Sequence, residues 1–191
     1  GSRMQHQTSP VPPQNSSGNH QPILQGEIIR LMPSLRAFAR TLTRNAAEAD
    51  DLLQETLLRA LSNIHQFSPG TNLKAWLFAI VRNTFYSNYR KTRREVTSAL
   101  DQPGGSVSEP AQEWSLKVKA VHDALERLPA DQREALILIG GAGLSYEEAA
   151  SVCGCALGTI KSRVSRGRVR LLELLEVEGN GDFLHDRERR F

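Results

Sequence analysis

Between Leu157 and Leu175 the chain places Lys161, Arg163, Arg166, Arg168 and Arg170, with no acid before Glu173. Cations at that density on one helix suit a polyanion, because each can replace a counterion on a phosphate. Thr159, Lys161, Ser162 and Arg163 stand at the start of that helix, where a groove-binding helix meets base edges. Arg166 and Arg168 lie farther along, where phosphates run. A merely solvated face is the alternative. It is weakened by the lack of interleaved acids that such faces usually carry.

A second concentration lies in NLKAWLFAIVRNTFYSNYRKTRRE, residues 72–95. Tyr86 and Tyr89 sit among Asn83, Asn88, Arg90, Lys91, Arg93 and Arg94. Charge for a backbone beside ring faces for unstacked bases is what single-stranded nucleic acid requires. The neighbouring FSPGTN loop could form a pocket for a flipped base. Trp76, Leu77, Ile80, Val81 and Phe85 can instead form an ordinary core stripe under solvated charge, and the residues alone leave both readings open.

A third face is acidic. In AAEADDLLQETLLRALSNI, residues 46–64, the spacing directs Leu52, Leu53, Leu57, Leu61 and Ile64 inward and turns Asp51, Gln54, Glu55 and Arg59 outward. Acids and amides do not suit DNA, so this face is either plain surface or a dock for a basic protein. Catalytic chemistry has no comparable candidate. There is no glycine-rich phosphate loop, no spaced set of His and carboxylate ligands, and no Ser/His/Asp grouping among five scattered histidines. Cys153 and Cys155, the two cysteines, lack a second ligand pair and read as small side chains in a turn. The reading is therefore of a protein that is not an enzyme and has no cofactor and no metal.

The elements that must position these faces are helical throughout, with no strand-like alternation. Breaks are expected at Arg44-Asn45, at FSPGTN, at Pro129 and at Gly140-Gly141. Ser145 followed by Glu148 is a capping-box start. Gly154 permits a left-handed turn residue, and Ile160 and Val164 pack the next helix back, which is the pattern of a helix-turn-helix. Leu157, Ile160, Val164, Leu171 and Leu175, with Gly167 in the gap, hold that helix down while its basic face stays free. Val118, Val121, Leu125 and Leu128 mark the buried side of a supporting helix.

At 191 residues and net charge +3, the chain has room for two small helical domains. The expected fold is all-α. Residues 1–22 form a polar disordered tail whose Gly1-Ser2 resembles a cloning scar; 23–95 and 115–177 are the domains; 96–114 is a flexible linker; 178–191 is a polar tail. Without a signal peptide or a spanning apolar run, and with so little cysteine, a cytoplasmic protein with no membrane association is expected.

Four motifs in order, DDLLQETLLRAL, NLKAWLFAIVRNTFYSNYRKTRRE, LPADQREALILI and SYEEAASVCGCALGTIKSRVSRGRVRLLELL, closely resemble the extracytoplasmic-function (ECF, group IV) sigma factors of bacterial RNA polymerase. NTFYSNYRK and CGCALGTIKSRVSRGR are similar to the general-stress-response subgroup called EcfG. The resemblance covers residues 23–176. It implies a first domain equal to sigma region 2, with Asp51, Gln54, Glu55 and Arg59 docking on the clamp helices of the polymerase beta-prime subunit. Trp76, Arg82, Asn83, Tyr86, Arg90 and Lys91 would then melt and hold the minus-ten promoter element. The second domain would be region 4, which meets the beta flap and sets Thr159, Lys161, Ser162, Arg163, Arg166 and Arg168 in the major groove of the minus-thirty-five element. Ser87 stands where many relatives carry an acid. The resemblance further implies control by an anti-sigma factor of the NepR type, with the chain a monomer when free or bound one-to-one to that inhibitor. Two rivals remain open: a sigma-like decoy that sequesters an anti-sigma factor, and a helix-turn-helix repressor.

Overall fold

The computed structural model of the chain describes residues 21–68, 70–96 and 116–188, and among these every regular element is helical. The elements are α1 (Gln21–Thr43), α2 (Ala46–Ser62), α3 (Leu73–Val96), α4 (Leu116–Glu126), α5 (Ala130–Leu136), α6 (Tyr146–Cys153) and α7 (Leu157–Glu188). A 3-10 turn at Ile64–Gln66 follows α2, and a π turn at Ile137–Gly141 follows α5. The linker and most of the amino-terminal tail expected from the sequence lie outside the described residues, although α1 already begins at Gln21. At the other end α7 continues through Gly179 and Gly181 to Glu188, so the expected polar tail is helical over most of its length. Glycine costs a helix about 1 kcal/mol each, and no proline interrupts this one.

The chain divides into two compact units, Gly1–Met32 and Pro33–Phe191. The boundary falls inside α1 at Pro33, which has no N–H to give the helix ladder. Within the second unit, Leu35, Phe38 and Ala39 of α1 are buried together with Ala49, Leu52, Leu53, Thr56 and Ala60 of α2. From α3 come Leu73, Leu77, Phe78, Val81 and Thr84. Phe38 and Phe78 meet with ring centroids 5.0 Å apart. Arg44 takes a left-handed φ of 59°, and Asn45 then caps α2 by accepting the Glu48 N–H at 3.2 Å.

Three expected stripes are shifted. Leu61 faces solvent, because it lies about two and a half turns beyond Leu52 and so on the opposite side of the cylinder. Thr56 and Ala60 fill the inward line instead, while Leu57 and Ile64 are half-buried. On α3, Phe78 takes the deep aromatic position, leaving Trp76, Ile80 and Phe85 half-buried. On α4, Val118 and Val121 are exposed, and Ala124 and Leu128 cluster with Leu174 of α7.

Helices on the two sides of the 97–115 stretch pack against each other, with α3 lying on α6. The helix-turn-helix forms as its local signals require. Ser145 accepts the Glu148 N–H at 3.1 Å and donates its own N–H to the Glu148 carboxylate at 2.9 Å. Gly154 closes α6 at φ 61°. The expected break at Gly140-Gly141 falls slightly later. The π turn absorbs both glycines, and the chain reverses at Gly143, φ 70°.

Candidate DNA and protein interfaces

The basic face of α7 is presented as its sequence requires. Ile160 and Val164 are fully buried, and Gly167 lets α7 cross α5 closely: a Cβ there would come within 3.1 Å of the Leu136 side chain. Thr159, Lys161, Ser162, Arg166 and Arg168 are left exposed on the opposite side. Arg163 differs from them. It is half-buried, and its Nε lies 3.4 Å from Asp131 in the first turn of α5. One cation of the row is thus partly spent on holding the helix to its support.

The α3 face splits into two parts. Asn83, Arg90 and Lys91 are exposed, Tyr89 is 57 % exposed and stacks on Phe85, and Ser87, Arg94 and Glu95 are exposed on the same helix. Trp76 packs half-buried on Phe67 at 5.5 Å between centroids. Arg82 and Tyr86, by contrast, are covered. The Arg82 guanidinium lies 4.6 Å over the Tyr86 ring, and both groups reach one carboxylate, that of Glu134 on α5. The Arg82 Nε donates to Glu134 Oε1 and the Tyr86 hydroxyl donates to Oε2 at 3.2 Å. Burial works against the Arg82 charge, but Glu134 outweighs it and the guanidinium pKa rises. The Tyr86 phenol is pushed up by burial and by the same carboxylate. Both groups therefore hold their protons, Arg82 as a cation and Tyr86 as a neutral donor.

Two further links, like that of Glu134, join the half of the chain before the 97–115 stretch to the half after it. Asn72, whose Oδ1 accepts the Ala75 N–H at the start of α3, donates through Nδ2 to Glu148 at 2.5 Å, so the cap of α3 is tied to the capping box of α6. The Ser145 backbone and Asn72 together hold the Glu148 carboxyl below the usual range. Arg44, in its left-handed conformation, bonds both the carbonyl and the carboxylate of Glu126, at 2.7 and 2.9 Å.

On α2, Asp51 and Gln54 are exposed as expected. Glu55 is at the surface but engaged within the molecule: Asn88 of α3 donates to it at 2.7 Å and Arg59 at 2.7 and 3.1 Å, and these bonds lower its pKa. Leu58, 68 % exposed, and Leu61 add an apolar component to this face that the sequence reading had placed elsewhere or passed over. Cys153 is buried with its thiol pushed up to about 12, chiefly by burial, which keeps it protonated and inert.

Sequence reasoning thus expected in the open the α7 residues Thr159, Lys161, Ser162, Arg166 and Arg168, the α3 residues Asn83, Arg90 and Lys91, and Asp51 and Gln54 of α2, and all of these are exposed. It missed Glu134, Asn72, Glu148 and Arg44 as links between the halves. One signal for Glu134 was present: the acid stands one turn before Leu138, in the buried register of its helix, where a carboxylate demands a cation.

Two family models match the chain, Sigma-70 region 2 over residues 28–95 and Sigma-70 region 4 over 119–171. The chain is 56 % identical over 161 residues to the ECF RNA polymerase sigma factor EcfG of Rhodopseudomonas palustris, covering 84 % of this chain and 89 % of that protein. It is 39 % identical over 134 residues to the probable RNA polymerase sigma-C factor of Mycobacterium bovis, covering 67 % and 70 %. Among solved structures, the sigma factor RpoE of Bartonella quintana, in complex with the anti-sigma factor NepR, matches with a TM-score of 0.73 at 51 % identity. That match covers 81 % of this chain and 98 % of the other.

Proposed function

This chain belongs to the ECF sigma factors of RNA polymerase, and from that premise we propose that it binds core polymerase, brings it to its promoters and helps open the minus-ten element. The observation that carries the reading is the pairing of two DNA-directed surfaces on one chain, a basic helix-turn-helix and an arginine-aromatic helix, each within a matched sigma region. Polymerase performs the bond-forming chemistry. The chain supplies recognition and strand capture, and acts in the cytoplasm beside the chromosome. Among the described residues no helix is long and apolar enough to cross a membrane.

The residues divide the work as follows. Asp51, Gln54 and Arg59, with exposed Leu58 and Leu61, form the face that meets the beta-prime clamp. Glu55 positions that face against α3 through Asn88. Asn83, Arg90 and Lys91 line the path of the melted minus-ten strand, and Arg82, Tyr86 and Trp76 complete it when uncovered. Thr159, Lys161, Ser162 and Arg163 read the minus-thirty-five major groove while Arg166 and Arg168 hold phosphates. An anti-sigma factor of the NepR type restrains the protein, and its promoters belong to the general stress response, as the kinship with EcfG and with the NepR-bound sigma factor supports.

The decoy and repressor readings account for less. A decoy has no use for the exposed basic face of α7, and a repressor leaves the α3 face without a purpose. Run-off transcription by purified core polymerase on a stress-type promoter tests the proposal. RNA that depends on the added protein is expected; no RNA together with no binding to core overturns it.

A further inference from the structure

Glu134 on α5 is 4 % exposed, and two side chains of α3, Arg82 and Tyr86, lie on its carboxylate. Both of its oxygens are used, one by the Arg82 guanidinium and the other by the Tyr86 hydroxyl. A guanidinium and a phenol are also what a promoter strand would engage, the first through a phosphate and the second through a base or sugar. The carboxylate offers Arg82 the same anionic oxygens as a phosphate. One pair of side chains cannot serve both at once.

We propose that Glu134 is an autoinhibitory latch: an internal mimic of the DNA strand that holds the free chain closed with Arg82 and Tyr86 masked, released when polymerase or promoter draws α5 and α6 away from α3. The inference rests on the proposed minus-ten role of α3. The Asn72–Glu148 and Arg44–Glu126 bonds act as its supports, since they join the same two halves on either side of the latch. The exposed minus-thirty-five face of α7 takes no part in the closure. The closed chain therefore keeps one DNA surface available and withholds the other.

The test compares the full chain with Glu134→Gln, which keeps the side-chain size and removes the charge, and with Glu134→Asp, which keeps the charge on a shorter arm. Compactness is read as the radius of gyration by small-angle scattering. Access to Tyr86 is read as its rate of nitration by tetranitromethane relative to exposed Tyr89. Glu134→Gln is expected to raise the radius of gyration and to speed Tyr86 nitration about tenfold, the gain when a surface open about one time in ten becomes mostly open. Glu134→Asp should fall between, and adding core polymerase to the unchanged chain should speed Tyr86 nitration likewise. Faster nitration at an unchanged radius of gyration would be a local effect of the lost charge and would overturn the latch, as would no change in either readout. Run-off transcription by the unchanged chain separates the two claims. RNA with no opening in Glu134→Gln defeats the latch alone, and opening without promoter-dependent RNA defeats the sigma reading and with it the masking of a DNA surface, leaving only a closing contact.

Discussion

The two surfaces proposed to meet DNA are built in opposite ways. On α7 the apolar line of Ile160, Val164 and Gly167 is buried and the cations on the other side stay in water, so the surface is complete as it stands. On α3 Arg82 and Tyr86 are half-buried against Glu134, while Asn83, Tyr89, Arg90 and Lys91 remain in the open. A duplex-reading helix needs no more than rigid support. A surface proposed to hold a melted strand needs rings and cations that would bind many anions, and on the proposed latch its covering confines that activity to the proper complex.

The strongest way to break the comparison is to remove the support of α7. Ile160→Ala deletes a fully buried side chain and is expected to cost the fold about 2–5 kcal/mol, read as a lower chemical-denaturation midpoint, with recognition of both promoter elements suffering together. Arg166→Ala is narrower. It should leave core binding and the fold intact while weakening minus-thirty-five duplex binding uniformly across sequences and lowering the salt slope by about one. Arg163→Ala should also loosen the fold slightly, because that cation is shared with Asp131; identical behaviour of the two variants would show that the Asp131 contact does nothing.

On the first half, Glu55→Lys is expected to weaken core binding and also to disturb α3, since it breaks the bonds from Asn88 and Arg59. Glu55→Gln, which retains the shape, should keep most core affinity, and titration calorimetry against core polymerase would separate them. The smallest effect is on pH. The folded pKa of Glu148 is depressed, so its contribution is present above the ordinary carboxylate value of 4.5 and is lost as pH falls through the lower folded value. The melting temperature should therefore drop on acidification below about pH 4.5 by less in Glu148→Gln than in the unchanged chain.

What was legible in the sequence was what is settled locally. The Ser145–Glu148 capping box, the left-handed Gly154 and the i, i+4 pair Ile160 and Val164 each involve residues within a turn of one another, and each formed as expected. The stripes of α2 and α4 were harder, because several leucines and valines competed for the inward line. Burial favoured Thr56, Ala60 and Ala124, small side chains that permit close approach. Glu134 was not legible as a partner of Arg82. Nothing in the intervening residues fixes that pairing, which depends on how α3 meets α5 and α6.

The division of labour is tested most directly by placing a photo-crosslinking side chain at exposed Asn83 in one variant and at exposed Ser162 in another, and mapping the DNA bases each captures in a polymerase–promoter complex. The account predicts crosslinks from position 83 to the minus-ten strand and from position 162 to the minus-thirty-five duplex. Capture of the same bases by both, or no DNA captured from position 83 in a complex that makes RNA, would contradict it.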